Sequence, residues 1–159
     1  MDRPTIRVAV VIERERAPNR WEDWRFRVAD VVPDEGGFGQ APRTLRDDGK
    51  IAQFLHPGLD VTLYTDEAEG YFLNLSTDSP VWFVMWRIAE GDPSTARPEI
   101  VTLSYNEAGR LLDAQERVDN VPLQGPSRDW LAAFTEAHYK PEVKQRRRPV
   151  SFQRPEDRR

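Results

Sequence analysis

The chain has 159 residues, 38% of them apolar and 31% charged, with a net charge of −4 and no cysteine. That length suits one domain able to bury roughly two thirds of its unfolded surface, and five Trp, seven Phe and four Tyr supply large anchors for a core. The missing cysteine excludes disulfides, thiolate catalysis, cysteine zinc sites and iron–sulfur ligation.

Ile6, Val8, Val10 and Ile12 alternate with Arg7, Ala9, Val11 and Glu13, a period of two that predicts a strand. The start of the chain moves straight into this strand, so no signal peptide is expected, and cytoplasmic residence is the default. Ala17-Pro18-Asn19 breaks the pattern. Trp24, Phe26, Val28 and Val32 then share one parity, and Arg25, Arg27 and Ala29 share the other. This predicts a second strand with an apolar and a cationic face. Residues 33–43 read as a loop, with Gly36, Gly37 and Gly39 among Pro33, Asp34, Glu35 and Pro42.

Ile51 to His56 predicts a short strand ended by Pro57-Gly58, and residues 61–64 another. Asp66 to Gly70 reads as a turn, Tyr71 to Ser76 as a strand, and Asp78-Ser79-Pro80 as a turn. Val81 to Trp86 is apolar on both parities, which asks for cover on both faces and predicts a central strand. It is also the longest apolar run, far below the roughly 20 residues of a membrane span. Gly91 to Pro98 reads as a loop and Glu99 to Tyr105 as extended chain. Asn106-Glu107-Ala108-Gly109 either opens a helix through Leu111 and Leu112 or makes a hairpin turn into a strand from Arg110 to about Gln115. The hairpin is preferred, because Gly inside a helix costs about 1 kcal/mol relative to Ala. Ser127 as an N-cap, Asp129 in the first turn and Trp130, Leu131, Phe134, Ala137 and His138 at helical spacing predict a helix over 127–139, stopped by Pro141.

The fold class is therefore mainly β (α+β): an antiparallel β-sandwich or open barrel of seven or eight strands, with one C-terminal helix, over residues 1–139. Residues 140–159 form a basic tail. Eight Lys/Arg stand against three acidic residues there, a surplus of five positive charges, so residues 1–139 carry −9. An acidic body argues against broad phosphate binding by the folded part. Nucleic-acid binding would fall to the tail, which is more simply read as a solvated end.

No phosphate loop and no nucleophile elbow is present. Gly36-Gly37-Phe38-Gly39 is glycine-rich, but no helix pattern follows to aim a dipole at an anion, so a plain loop is favoured over a ligand site. His56 and His138 are the only histidines, too few to make a histidine metal site without several carboxylates, so neither a metal nor a catalytic group is assigned. Asp47-Asp48-Gly49-Lys50 lacks the spacing of a calcium loop and reads as an exposed turn. Trp24, Trp82 and Trp86 read as core. Arg20, Trp21, Arg25 and Arg27 remain as the best surface candidates, since Trp and Arg are enriched at binding hot spots. The Gly36–Gly39 loop and His56 complete the set of binding candidates. A non-catalytic role is favoured over an enzyme.

Several longer blocks carry a resemblance. They are Asn19-Arg20-Trp21-Glu22-Asp23-Trp24, Glu35-Gly36-Gly37-Phe38-Gly39, Phe54-Leu55-His56-Pro57-Gly58, residues 70–76, residues 80–86 and residues 104–110. Together they resemble a bacterial family catalogued as a domain of unknown function, whose members are often labelled molybdopterin-guanine dinucleotide biosynthesis proteins and associated with formate dehydrogenase-type molybdoenzymes. The resemblance implies a small accessory factor that helps a molybdenum-dependent oxidoreductase mature or receive its cofactor, with that enzyme or its maturation factor as protein partner. It admits a molybdopterin-type ligand. Nucleotidyl transfer itself is not expected, because the first strand runs into Glu13-Arg14-Glu15-Arg16 and not into a glycine-rich loop and helix.

Overall fold

A computed structural model describes residues 3–17 and 23–141 of the chain. Among the described residues, seven strands form two antiparallel sheets, and three α-helices pack beside them. The first sheet has the order β2-β1-β4-β3, built from Thr5–Arg16 (β1), Trp24–Pro33 (β2), Arg43–Asp47 (β3) and Ile51–Thr62 (β4). The second has the order β6-β5-β7, built from Val81–Ala89 (β5), Asp92–Thr102 (β6) and Arg117–Pro122 (β7). The helices are Ala68–Leu75 (α1), Tyr105–Asp113 (α2) and Pro126–His138 (α3).

The core lies between the sheets. Val8, Val10 and Ile12 of β1, with Val28, Val31 and Val61, meet Trp82, Val84 and Trp86 of β5, and Tyr71, Leu131 and Phe134 close one end. Trp82 and Trp86 are buried as expected, whereas Trp24 is only half-buried. The other parity of β5 is buried too: Met85 is 2% exposed and Phe83 sets its ring edge-on to Tyr105, the first residue of α2. Both faces of β5 are thus covered, as its sequence demands.

Two bulges correct the simple alternation. In β2 the pairing with β1 shifts between Val11 and Ile12, leaving Ala29 as the extra residue. Parity flips there, so Val31 enters the main core and Val32 packs on the opposite face with Ala9, Val11, Leu55 and Phe38. In β4, Pro57-Gly58 does not end the strand. It forms a bulge opposite Ala9, after which pairing resumes at Leu59 and runs to Thr62, so the two short strands expected there are one. Gly58 takes φ +81°, a left-handed conformation that Gly adopts without steric cost.

Three further expectations are overturned. Residues 71–75 are helical in α1, with Ser76 as its C-cap, and not a strand. Their apolar residues fill both parities, so the short window reads equally as strand, while Ala68, Tyr71 and Asn74 share one buried helical face. Residues 106–113 are helical in α2, not a hairpin. Ser104 Oγ accepts the N–H of Glu107 at 3.1 Å, a Ser-x-x-Glu start worth more than the penalty at Gly109. Residues 92–98 are strand and not loop, since Glu90-Gly91 makes a tight turn from β5 into β6. Pro93 and Pro98 are tolerated because β6 is an edge strand. The C-terminal helix runs Pro126–His138, one residue earlier than expected, with Gly125 as its N-cap and Pro126 at its first position. Ser127 sits inside the first turn.

Candidate functional site

The helices meet the second sheet at a junction of satisfied polar groups. Asn74, 1% exposed, donates from Nδ2 to the carbonyls of Val81 (2.8 Å) and Leu103 (2.9 Å), and its Oδ1 accepts the N–H of Val81 (3.0 Å). Ser104 Oγ donates to Glu67 Oε2 at 2.5 Å, and Arg110 donates to the other Glu67 oxygen. Gly70 is required there: a Cβ on it would lie 2.1 Å from Ser104 Oγ. Tyr71 Oη accepts the N–H of Tyr64 at 2.9 Å, and burial pushes its pKa up to about 12. These groups have their partners already, and their arrangement is structural.

The opposite side of the sandwich differs. A cleft of about 230 Å³ opens between the sheets, lined by Ile12, Phe26, Pro42, Phe54, His56, Ser94, Thr95, Ala96 and Arg97. The hollow near Asp34 and Trp130 is larger but more open to solvent. Phe54 and His56 lie on one parity of β4, opposite Ile12 and Val10 of β1, and point to the second sheet. Phe26 reaches the same space from β2 and packs on Trp86, with ring centres 5.9 Å apart. From the other side, β6 brings Ser94 to Arg97. Behind Phe54, the guanidinium of Arg14 lies 5.1 Å from the Phe54 ring centre and 4.3 Å from that of Trp24, and Nη1 donates to the carbonyl of Ser94 at 2.9 Å. This bond ties the first sheet to the cleft's far wall.

Three buried nitrogens lack a hydrogen-bond partner among the described residues: His56 Nε2, Arg14 Nε and Trp86 Nε1. Such atoms carry a desolvation cost of about 1–3 kcal/mol each when nothing meets them. His56 is 8% exposed. Burial, and then the positive charge of Arg97, hold its pKa below the usual 6.5, so it is neutral at pH 7. The two hydroxyls in the lining are already engaged: Ser94 Oγ and Thr95 Oγ1 donate to Asp92 at 2.6 and 2.7 Å. These bonds, the one from Ser94 first, hold the Asp92 carboxyl below the usual carboxylate range. Among the lining residues, His56 and Arg97 are left with side-chain donors that no described partner engages.

The expected site residues do not converge. His56 alone lines the cleft. Arg25 and Arg27 are exposed on the outer face of the first sheet, where Arg27 Nε pairs with Glu13 at 2.7 Å and Gln53 donates to the other Glu13 oxygen at 3.0 Å. Those two bonds lower the Glu13 pKa, Arg27 first. The Gly36–Gly39 loop has a structural role. The carboxylate of Asp34, 8% exposed, accepts the N–H of Gly36 (2.9 Å) and of Gly58 (2.8 Å), pinning the loop to the bulge of β4, while Phe38 covers Ala9, Val11 and Leu55. Arg20, Trp21 and the tail beyond Pro141 lie outside the described residues. Asp47 to Lys50 forms the expected exposed turn between β3 and β4, with the Asp48 carboxylate accepting the N–H groups of Lys50 and Ile51. Among the described residues no group of three or more His, Asp or Glu could hold a metal, and no helix is long and apolar enough to cross a membrane.

Sequence reading missed Phe54, Arg97 and Arg14. Phe54 shares parity with His56, and Arg14 is a cation on the inward parity of β1, so both left a signal. Arg97 left none, because its segment read as a loop. No curated protein and no solved structure matches the chain. Residues 7–148 match the model of the family described as protein of unknown function (DUF3305), and the chain belongs to that family.

Proposed function

We infer that the protein is a non-catalytic accessory factor serving the maturation or cofactor supply of a molybdenum-dependent oxidoreductase such as formate dehydrogenase, and that the cleft between the sheets is its binding site. The observation that carries the binding role is the buried, unengaged Nε2 of His56 on an apolar cleft wall. Apolar clefts with a few convergent polar groups are the usual form of a ligand site. The molybdoenzyme partner rests on the family resemblance of the sequence blocks.

Affinity purification of the full chain from its native host tests the partner. A molybdoenzyme subunit or one of its maturation factors should co-purify with the wild type and be depleted with R97E. Recovery of neither with the wild type would contradict the accessory role.

A second reading, a small pterin- or nucleotide-binding protein of the cofactor pathway, draws on the presence of two aromatic side chains, Phe26 and Phe54, in the cleft lining. Titration with a pterin and with a guanine nucleotide, followed by tryptophan fluorescence, separates the two. A flat response removes this second reading. Nucleic-acid binding through the tail would have to vanish on deletion of residues 140–159 and weaken steeply with salt.

A further inference from the structure

The geometry points to a flat, single-ring molecule bearing one carboxylate as the ligand of the inter-sheet cleft, its ring between Phe26 and Phe54 and its carboxylate on His56 Nε2 and Arg97. This rests on the reading of the cleft as the binding site and adds the chemistry of what fills it.

Four observations converge. The volume of about 230 Å³ is below the ~300–1,000 Å³ of sites for drug-sized ligands, so a single ring fits better than a dinucleotide. The body of the lining is apolar: Ile12, Phe26, Pro42, Phe54 and Ala96. The polar side-chain atoms left there belong to an imidazole and a guanidinium, because Asp92 takes both hydroxyls. None of the lining residues is acidic, although residues 1–139 carry −9, and Arg14 adds a second guanidinium behind Phe54. The Asp92 carboxylate next to the lining is taken up by Ser94 and Thr95, so the imidazole and guanidinium of the lining select an anion, and Arg recognises a carboxylate through paired N–H donors.

The test is a heteronuclear NMR titration of the full chain with three probes: benzoate, its neutral isostere benzamide, and acetate, which has the charge without the ring. Benzoate should shift the amides of Phe54, His56, Ala96 and Arg97 and bind at least about tenfold more tightly than benzamide or acetate. In R97A, at an exposed position that leaves the core intact, benzoate affinity should fall at least about tenfold, while benzamide affinity stays the same. Equal affinity for benzoate and benzamide, unchanged benzoate binding in R97A, or no shift in these amides would overturn the proposal. Loss of the molybdoenzyme partner in the pull-down, with benzoate binding intact, would instead remove the accessory role and leave the ligand class standing.

Discussion

The two ends of the sandwich treat buried polar atoms in opposite ways. At the helix junction Asn74, Ser104 and Tyr71 are buried, and each has partners within 3.1 Å. At the cleft, nitrogens of Arg14, His56 and Trp86 are buried without a partner among the described residues. A satisfied network fixes one structure, whereas an unsatisfied group costs stability that only something outside the fold recovers. The contrast separates a structural end from the end proposed to bind.

The largest expected effect falls at the junction. Asn74→Ala strips partners from the N–H and C=O of Val81 and from the carbonyl of Leu103, and should cost about 3 kcal/mol or more in urea unfolding. Gly70→Ala should cost about 2–3 kcal/mol. Its Cβ would displace Ser104 Oγ, which caps α2 and binds Glu67, and would also sit 3.2 Å from the backbone nitrogen of Asn106. A neutral outcome for either would blur the division between the two ends.

Much of the first sheet was legible because β1 and β2 are long and alternate with a period of two. Ile6 to Ile12 and Trp24 to Val28 could be placed by parity alone, and the error at Val32 came from a bulge that adds a residue without a sequence mark. The helices were harder. Tyr71-Phe72-Leu73 is too short an apolar run to reveal its period, and at α2 the start signal in Ser104 and Glu107 competed with Gly109. The cleft was least legible. It joins β4 to β6, some forty residues apart in the chain, and no local pattern states which strands of two sheets will face each other. His56 was visible as a candidate, while Arg97 was hidden in a segment whose prolines suggested a loop.

A smaller effect belongs to His56 and pH. Its folded pKa lies below the unfolded value of 6.5, so above about pH 6.5 both states are neutral and its contribution is fully present. As pH falls below that value the unfolded chain takes up a proton that the fold resists, and stability declines. Repeating urea unfolding from pH 7.5 down to 5.5 should show that decline in the wild type and a flatter profile in His56→Leu. The smallest effect is a gain. Gly109 lies inside α2, and a Cβ added there would meet nothing within 4 Å, so Gly109→Ala should stabilise by about 0.5–1 kcal/mol, read as a raised melting temperature.

The most direct test sets Asn74→Leu beside His56→Leu in urea unfolding at pH 7.5. Both replace a buried polar side chain with an apolar one. The account predicts a loss of about 3 kcal/mol or more at Asn74, where three backbone groups lose their partner, and a change within about 1 kcal/mol at His56, whose Nε2 has none to lose. Equal losses at the two positions would contradict it.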